Sequence, residues 1–361
     1  MAFYALIMAG GTGTRLWPVS RRDRPKQSLK LVGDRTMFEH AVDRIAPIFQ
    51  PERMFVVAGS EHVSDLADQA PELPAENFIV EPMGRGTAPA IGLGAIHLRH
   101  RDPDAVMAVL TADHFISDVE RFRRVLNAAD AVAEDGHLVT LGIEPSSPST
   151  GYGYIHQGEA LGKTDGFEAL RVERFTEKPD KKTAHRMVES GEYTWNSGMF
   201  IWQVERIMEE FQGQMPDFYM KLAEVEASLG TKGYSPTLYR VWPQVEKQSI
   251  DYGVMEGADD VAVIPVDIGW SDVGSWGSLA ELLAAMDSQD DDGNVVVGRH
   301  VGIDTENSLI FGGERLIGTI GLENMIVVDA GDAILVCPIN REQEVRDMVH
   351  RLERGEMGDY L

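Results

Sequence analysis

Residues 3–18 read FYALIMAGGTGTRLWP, an apolar run followed at once by a glycine-rich loop. The run at 3–9 predicts a buried strand, because it is short, continuous and bounded by glycine. Gly10, Gly11 and Gly13 carry no Cβ, so an anion can approach the backbone N–H groups of the loop. The stretch therefore predicts an α/β fold with a phosphate-binding turn at the carboxyl end of its first strand.

The loop differs from two common nucleotide-binding motifs. No Gly-Lys-Ser/Thr ends it, as in a P-loop, and Leu16 occupies the third glycine position of the dinucleotide fingerprint. Arg15 supplies a cation close behind Thr12 and the glycines, where phosphates would lie. The sequence thus indicates a nucleotide site of another class, and a tight turn without a ligand is the alternative.

The composition is that of a globular protein with a large acidic excess. The chain has 361 residues, of which 43% are hydrophobic, enough for one large domain and a smaller one. A formal net charge of −25 opposes nucleic-acid binding, so no nucleic-acid partner is expected. Cys337, the single cysteine, excludes an intramolecular disulfide and is predicted to be a buried thiol. No apolar stretch approaches the roughly 18 residues of a membrane span and no basic leader precedes the first strand, which predicts a cytoplasmic protein without a membrane partner.

Strand-like and helix-like segments alternate through the first part of the chain. Strands are predicted near 3–9, 53–58, 77–81, 105–111 and 137–143, and helices at 36–49 and 87–99. Such alternation predicts a mixed, mainly parallel sheet with helices on both faces. Ligands of these folds bind beyond the carboxyl ends of the strands, where the glycine loop lies.

A polar, acidic stretch at 286–293 breaks this pattern and predicts a domain boundary, with a large domain over 1–286 and a small β-rich domain over 287–361. Short apolar runs within the small domain, separated by Gly, Asn and Asp, indicate a β-solenoid-like module that ends in a helix at about 341–354. The runs are 295–297, 301–303, 309–311, 316–320, 325–328 and 334–336. Because a short solenoid has open ends, a partner subunit is expected there, and the chain is predicted to form a homodimer.

Charged residues after strand-like runs supply the candidate chemistry of the nucleotide end. The run at 20–27 places Arg21, Arg22, Arg24 and Lys26 behind Arg15, a density of positive charge that suits a triphosphate, although exposed basic runs are often only solvated. Asp113 follows the fourth predicted strand and Asp272 lies in a later glycine-flanked turn. Both could share one Mg²⁺, which takes one or two protein carboxylates, and a helix cap or turn is the alternative role of each.

Two further segments have the character of a sugar-phosphate site. Gly151 offers a close backbone approach between aromatic residues, and Glu177 and Lys178 place a carboxylate beside an ammonium. Glutamate accepts hydrogen bonds from vicinal hydroxyls and lysine holds a phosphate as a point charge. Asn196 adds an amide that can both donate and accept. A turn and a surface ion pair are the alternative interpretation.

From Ala5 to Trp276 the chain resembles the nucleotidyltransferase family that makes nucleotide sugars. The resemblance is carried by GGTGTRLWP at 10–18, PKQ at 25–27, EPMGRGTAPA at 81–90, TADH at 111–114, TGYGYI at 150–155, FTEKP at 175–179, WNSGMF at 195–200, SIDYGVME at 249–256 and WSDVGSW at 270–276. Within the family, Trp17-Pro18 together with PKQ is similar to the branch that acts on mannose 1-phosphate. The resemblance implies a Rossmann-like, GT-A-like fold.

The resemblance also implies an activity: transfer of GMP from GTP to α-D-mannose 1-phosphate, giving GDP-mannose and pyrophosphate, by direct attack assisted by Mg²⁺ or another divalent cation. It implies that the nucleotide is bound by Gly10, Gly11, Thr12, Gly13, Arg85, Thr87 and Pro89, the sugar phosphate by Gly151, Glu177, Lys178 and Asn196, and the metal by Asp113 and Asp272. Arg15, Lys26 and Lys178 would be the catalytic cations. One residue departs from the family pattern: Gly86 stands where asparagine is common.

Two other functions remain open on the sequence. One is a sister enzyme that uses another base or another sugar 1-phosphate. The other is a non-catalytic sensor of nucleotide sugars, which is disfavoured because the chain keeps the cations and carboxylates that only a reaction requires.

Overall fold

The computed structural model describes residues 1–11, 13–286, 288–355 and 357–361. The chain forms two compact units. Unit 1 comprises 1–10, 41–112 and 116–270, and unit 2 comprises 11–40, 113–115 and 271–361. The predicted boundary between 286 and 287 falls at Asp287, which lies outside the described residues, so this boundary stays a prediction.

The strands and helices are numbered in chain order. The strands are β1 (Phe3–Ala9), β2 (Met54–Gly59), β3 (Phe78–Glu81), β4 (Val106–Thr111), β5 (Phe115–Ile116), β6 (Leu138–Ile143), β7 (Tyr154–Thr164), β8 (Phe167–Thr176), β9 (Tyr193–Gln203), β10 (Val261–Pro265), β11 (Trp270–Ser271), β12 (Val295–Ile303), β13 (Leu309–Ile320), β14 (Met325–Asp329) and β15 (Ile334–Pro338). The helices are α1 (Met37–Ile45), α2 (Val63–Gln69), α3 (Thr87–Arg101), α4 (Val119–Glu134), α5 (Lys181–Ser190), α6 (Val204–Gln214), α7 (Pro216–Glu226), α8 (Tyr234–Val241), α9 (Trp276–Ala285) and α10 (Val345–Arg354).

Unit 1 is built on one nine-stranded sheet, in the order β3-β2-β1-β4-β9-β6-β10-β8-β7. β1 pairs in parallel with β2 and β4, β2 with β3, and β6 with β10, whereas β9 and β8 run against their neighbours. The predicted mixed, mainly parallel sheet is therefore confirmed, and β1, β2, β3, β4 and β6 coincide with the five predicted strands to within one residue at each end.

Helices cover both faces of this sheet. Side chains of α3, α6 and α7 share one core with Leu6, Val57 and Met107 of the sheet. α4 contacts β4, β6 and β9, yet none of its residues belongs to that core, so it covers the other face. Strands buried on both sides need the continuous apolar runs that the sequence shows. Among the described residues, no helix has both the length and the apolar character that a bilayer span requires.

Unit 2 contains a four-stranded sheet in the order β12-β13-β14-β15, parallel except for β15. The predicted runs at 295–297 and 301–303 are one strand, β12, because the chain continues through a register shift between Val297 and Arg299. The runs at 309–311 and 316–320 likewise merge into β13. Cys337 is half-buried rather than buried as predicted, because β15 is the last strand of its sheet.

One hydrophobic core joins the first and last parts of unit 2. Its members include side chains of 11–40 (Leu16, Trp17, Leu29, Leu31, Val32 and Met37) and of 271–361 (Trp276, Leu309, Phe311, Ile326, Val328, Leu335, Val349 and Leu352). The segment that carries most of the glycine loop therefore packs on the C-terminal β module, a name used below for residues 288–361.

Candidate functional site

The glycine loop follows β1 directly, as predicted. Gly11 and Gly13 adopt positive φ angles of 97° and 61°, and the side-chain hydroxyl of Ser20 donates to the carbonyl of Gly13 at 2.7 Å. Gly10 and Gly11 are exposed. Thr12, which was predicted to bind the nucleotide, lies outside the described residues.

Lys26 is the centre of a charged cluster in unit 2. Its ammonium donates to Asp113 Oδ2 at 2.9 Å and to the backbone carbonyl of Asp272. Lys26 is only 5% exposed, so its charge is held in place by these oxygens. The structure thus brings the two predicted metal-binding aspartates to the same ammonium group, although 159 positions separate them in the chain.

The carboxylate of Asp113 is kept in its charged form. Burial acts to raise the pKa of Asp113, but the Lys26 ammonium and then His114 outweigh it and hold this pKa below its usual range. The His114 imidazole nitrogen Nε2 lies 3.8 Å from Asp113 Oδ1. An ionised carboxylate is the form that binds cations.

Arg15 belongs to the same cluster, through Gly274. A Cβ at position 274 would lie 2.3 Å from Asp272 Oδ2 and 3.1 Å from a terminal nitrogen of Arg15, so Gly274 lies against both charged groups and a larger residue would displace the Asp272 carboxylate. The backbone N–H of Gly274 also donates to Asp272 Oδ1 at 3.0 Å. Arg15, Lys26, Asp113 and Asp272 are called the Lys26 cluster below.

The three arginines that precede Lys26 in the basic run contact protein oxygens, and the contribution of this run to triphosphate binding stays a prediction. Arg21 forms two hydrogen bonds with Asp332, at 2.7 and 3.2 Å, and Arg22 pairs with Glu353 at 3.3 Å. Arg24 donates to the backbone carbonyl of Val19. These guanidinium groups therefore bind protein oxygens.

The segment predicted to recognise guanine is fixed within unit 1 by residues 243–250. A terminal nitrogen of Arg85 donates to the carbonyl of Pro243 at 2.6 Å, and the backbone N–H of Ile250 donates to Thr87 Oγ1 at 2.8 Å. Arg85 Nε is buried and has no hydrogen-bond partner among the described residues. Pro89 is buried in the first turn of α3.

Gly86 explains why the family's asparagine is absent. Its φ and ψ of 91° and 178° lie in a region that essentially only glycine adopts. A Cβ there would also lie 2.3 Å from the carbonyl oxygen of Gln248. The close approach of the two segments therefore requires glycine in this chain.

A second polar cluster lies in unit 1 around Glu177. Its carboxylate is 7% exposed and pairs with the ammonium of Lys178, which is 58% exposed. Gly153 lies against the Glu177 carboxylate, since a Cβ at Gly153 would be 2.5 Å from Glu177 Oε2 and 3.3 Å from Asn196 Cβ. Three of the predicted sugar-phosphate residues are thus neighbours: Glu177, Lys178 and Asn196.

The amide of Asn196 is already partly used within the protein, and its role in binding a sugar hydroxyl stays a prediction. Its Oδ1 accepts from the backbone N–H of Gly198 at 3.1 Å and from Thr140 Oγ1 at 3.3 Å. Its Nδ2 donates to Asp251 Oδ1 at 2.9 Å. One N–H of the amide therefore remains for a ligand.

Asp251 is a member of this cluster that the sequence pattern did not reveal. Burial first, and then the nearby Glu177 carboxylate, raise the pKa of Asp251 to about 6. The residue was included in the motif at 249–256, but nothing in the local sequence indicated that it contacts Asn196. Glu177, Asn196 and Asp251 are called the Glu177 cluster below.

Gly151, the fourth predicted sugar-phosphate residue, is exposed, and its N–H donates to Ser149 Oγ at 3.1 Å. The next residue, Tyr152, packs between two indole rings, with centroids 4.8 Å from Trp195 and 5.4 Å from Trp270. An aromatic wall therefore follows Gly151, as the sequence indicated.

The described residues contain no group of three or more His, Cys, Asp or Glu side chains that could hold a metal ion alone. Asp113 and Asp272 still fit Mg²⁺, which takes one or two protein carboxylates and completes its shell with water and phosphate oxygens. The Lys26 ammonium lies at Oδ2 of Asp113 and at the backbone carbonyl of Asp272, so positive charge is already placed at one of the two carboxylates.

Two known protein families and several known proteins are similar to this chain. Residues 4–289 match the family described as "Nucleotidyl transferase", and residues 298–352 match the family described as "MannoseP isomerase/GMP-like beta-helix domain". The chain is 39% identical to "Mannose-1-phosphate guanylyltransferase" of Klebsiella pneumoniae, covering 98% of this chain and 75% of that protein. It is 40% identical to the protein of the same description from Escherichia coli K12, covering 97% of this chain and 73% of that protein.

A solved structure has the same fold. It comes from Thermus thermophilus, is described as "mannose-1-phosphate geranyltransferase", and superposes with a TM-score of 0.87 at 36% identity, covering 98% of this chain and 100% of that one. The predicted fold, including the solenoid-like module, is confirmed. Because the family match extends over most of the sequence and the relatives align along nearly all of it, the chain belongs to the nucleotidyl transferase family.

Proposed function

We propose that this protein transfers GMP from GTP to α-D-mannose 1-phosphate, giving GDP-mannose and pyrophosphate. The observation that carries the proposal is the Lys26 cluster: two cations and two carboxylates beside a glycine loop in a member of the nucleotidyl transferase family. The names of the relatives from Klebsiella pneumoniae and Escherichia coli supply the base and the sugar.

The proposed reaction needs no general base. The phosphate of a sugar 1-phosphate is largely a dianion at neutral pH, because its second pKa is roughly 6. Its oxygen can therefore attack the α-phosphorus of GTP directly, forming one P–O bond while the bond to pyrophosphate breaks. The protein must align the two phosphates and neutralise charge, which is how enzymes catalyse phosphoryl transfer.

Arg15 and Lys26 are assigned to the triphosphate, with the backbone N–H groups of Gly10, Gly11, Thr12 and Gly13. The Lys26 ammonium is held by protein oxygens before any ligand binds, so little reorganisation of this cation is needed when phosphate charge arrives. The segment of Arg85, Thr87 and Pro89 is assigned to guanine, and the buried Nε of Arg85 is the donor that remains for it.

The Glu177 cluster and its neighbours are assigned to mannose 1-phosphate. Glu177 accepts hydrogen bonds from sugar hydroxyls, and the remaining N–H of Asn196 donates to one. Lys178 is the exposed cation for the incoming phosphate. Gly151 lets the sugar approach the backbone next to the aromatic wall at Tyr152.

Asp113 and Asp272 are assigned to a divalent cation, Mg²⁺ being the ion that suits carboxylate and phosphate oxygens. When bound, it would neutralise part of the phosphate charge. The low pKa of Asp113 keeps one of these ligands ionised at neutral pH.

The experiment that tests the proposal is a pyrophosphate-release assay over a panel of substrates: GTP, ATP, dTTP and UTP, each with mannose 1-phosphate and with glucose 1-phosphate. We expect turnover to be fastest with GTP and mannose 1-phosphate. Faster turnover with another pair would identify a sister enzyme, and tight binding of GDP-mannose without any turnover in Mg²⁺ would identify a sensor.

We also propose a cytoplasmic homodimer. Apolar side chains on one face of paired strands support the dimer: Val301, Ile303, Leu316 and Ile320 are each more than half exposed on β12 and β13. Light scattering should give twice the monomer mass, and an Ile320→Glu variant should shift it towards the monomer. An unchanged mass for the variant would place the dimer contact elsewhere.

A further inference from the structure

The C-terminal β module is part of the structure that surrounds the glycine loop. Leu16 and Trp17, which follow the loop directly, belong to the same buried core as Phe311, Val328 and Val349 of the module. The turn that begins at Thr14 also packs against α10. Whatever fixes the module in this position therefore also fixes the residues next to Arg15.

Three polar contacts connect the module to this segment. One is the exposed pair of Arg22 and Glu353 at 3.3 Å, and the other two involve Arg21 and Trp17, which are each 10% exposed or less. Arg21 donates to both carboxylate oxygens of Asp332, and its Nε donates to the carbonyl of Pro18 at 2.7 Å. The indole N–H of Trp17 donates to the carbonyl of Tyr360 at 2.8 Å. A two-pronged arginine–carboxylate contact fixes direction as well as distance.

The two residues of the ion pair differ in their surroundings. The Arg21 side chain is 10% exposed and that of Asp332 is 56% exposed. Arg21 also lowers the pKa of Asp332 through this hydrogen bond, which keeps the carboxylate charged. Asp332 can therefore be altered from the solvent side without opening the core.

We propose that Asp332 and the carbonyl of Tyr360 are positioning groups for nucleotide binding, which hold residues 13–24 in place through Arg21 and Trp17. They act on the phosphate cation Arg15 through the segment and do not touch the substrate. The consequence for catalysis rests on the proposed function; the consequence for the order of the segment does not.

The test uses the full chain with Asp332→Asn, which removes the charge and keeps the size. We expect the KM for GTP to rise about three- to fivefold, the effect of losing one exposed ion pair. The KM for mannose 1-phosphate should stay unchanged, and the melting temperature should fall by no more than about 2 °C, the effect of one ion pair. Amide hydrogen exchange should accelerate in 13–24 and remain slow in β1 and β4. Asp332→Glu keeps the charge, so the KM for GTP and the exchange rates in 13–24 should return most of the way to the wild-type values.

A matched control is Glu344→Gln. Glu344 is 53% exposed and pairs with Arg341, so the variant removes an equivalent ion pair that does not reach residues 13–24. It should leave the GTP KM and the exchange rates unchanged. A Trp17→Phe variant removes the contact with Tyr360, keeps most of the packing, and should act in the same direction as Asp332→Asn.

Two results would overturn the inference: unchanged exchange in 13–24 in Asp332→Asn, or an equal effect in Glu344→Gln. If the wild-type protein shows no turnover of GTP with mannose 1-phosphate, the proposed function fails, and the exchange measurement still decides whether Asp332 positions the segment.

Discussion

Lys26 connects the two aspartates that the proposal assigns to a divalent cation. Its ammonium contacts the carboxylate of Asp113, whose pKa it lowers, and the backbone carbonyl of Asp272. Neutralising either one removes a ligand for the cation while leaving the chain's packing almost intact, since the Asp113 side chain is 31% exposed.

We therefore predict that Asp113→Asn and Asp272→Asn each lower kcat by more than about 100-fold, the size of effect that follows loss of electrostatic stabilisation of the transition state. Pyrophosphate release and circular dichroism measure activity and folding. Asp267→Asn is the control, because this exposed aspartate lies outside the Lys26 cluster. Full activity in both single variants would exclude the metal assignment.

Asp251 gives a prediction for stability against pH. Because burial and Glu177 raise the pKa of Asp251 from 3.8 to about 6, the folded protein retains this proton longer than the unfolded chain does. The wild type therefore loses stability as pH rises from about 4 to about 6. An Asp251→Asn variant lacks this loss.

Urea titrations give the free energy of unfolding of both proteins. The difference between Asp251→Asn and the wild type should change by about 1 kcal/mol in favour of the variant as the pH rises from 5 to 7.5. The exposed Asp267→Asn variant serves as the reference for a general charge effect. A difference that stays constant with pH, or that moves against the variant, would contradict the raised pKa.

The sequence singled out most residues of the Lys26 and Glu177 clusters but not their contacts. Arg15, Asp113 and Glu177 stood out because each follows a glycine loop or an apolar run, and Lys26 stood out because it lies in a basic run. Asp251 did not, because its partner Asn196 is 55 positions away and no local pattern records such a contact. The contact of Arg21 with Asp332 was missed for the same reason, because the two residues are 311 positions apart.

At the scale of secondary-structure elements, the start of α3 is a tightly constrained connection in unit 1. Gly86 precedes the helix with a backbone conformation closed to other residues, and it lies against Gln248. The segment at 85–88 and the segment at 248–250 are joined there by three backbone hydrogen-bond donors.

We predict that Gly86→Asn, which introduces the residue common in the family, destabilises this protein by about 1–3 kcal/mol, because the new side chain adds backbone strain and a collision. The melting temperature should fall, and the preference for GTP over ATP should not improve. Gly84→Ala is the matched control, since its Cβ would meet no atom within 4 Å. A stable Gly86→Asn variant with sharper base selectivity would contradict this account.

Elements were predictable where one physical signal dominates. The buried strands of unit 1 were found from continuous apolar runs, which few other structures share. β12 and β13 were each read as two short strands, because Gly298 and the glycines at 312 and 313 interrupt the apolar pattern without ending the strand.

At the scale of the whole molecule, the units do not follow the order of the chain. Residues 11–40 leave the first strand of unit 1 and join a core completed by 271–361. A single domain boundary placed from composition divides the chain into an N-terminal and a C-terminal part. It therefore does not detect that residues 11–40, early in the chain, share a core with the C-terminal residues.

We predict that a chain of residues 1–286 does not form unit 2. Without the β module, six apolar side chains of 11–40 lose the residues that they pack against. All six belong to the shared core: Leu16, Trp17, Leu29, Leu31, Val32 and Met37. At about 2 kcal/mol each, the loss is on the order of 10 kcal/mol, as large as the stability of a typical domain.

The shortened chain should bind an apolar dye, show fast hydrogen exchange over 13–40, and bind no GTP, while β1 to β4 stay protected. The full chain measured under the same conditions is the control. A shortened chain with the exchange pattern of the full one would mean that residues 1–286 fold as an independent domain.

Trp17 and Tyr360, which are joined by a hydrogen bond, are 343 positions apart, so the ribosome makes the donor long before the acceptor. At roughly 5–20 residues per second, the ribosome makes the acceptor roughly 20–70 s after the donor. Throughout that interval the nascent chain holds its phosphate cations without the core that orders them. We therefore expect nucleotide binding to begin only after the last β strands have emerged from the ribosome. Chains that terminate before these strands should not bind GTP in the cell.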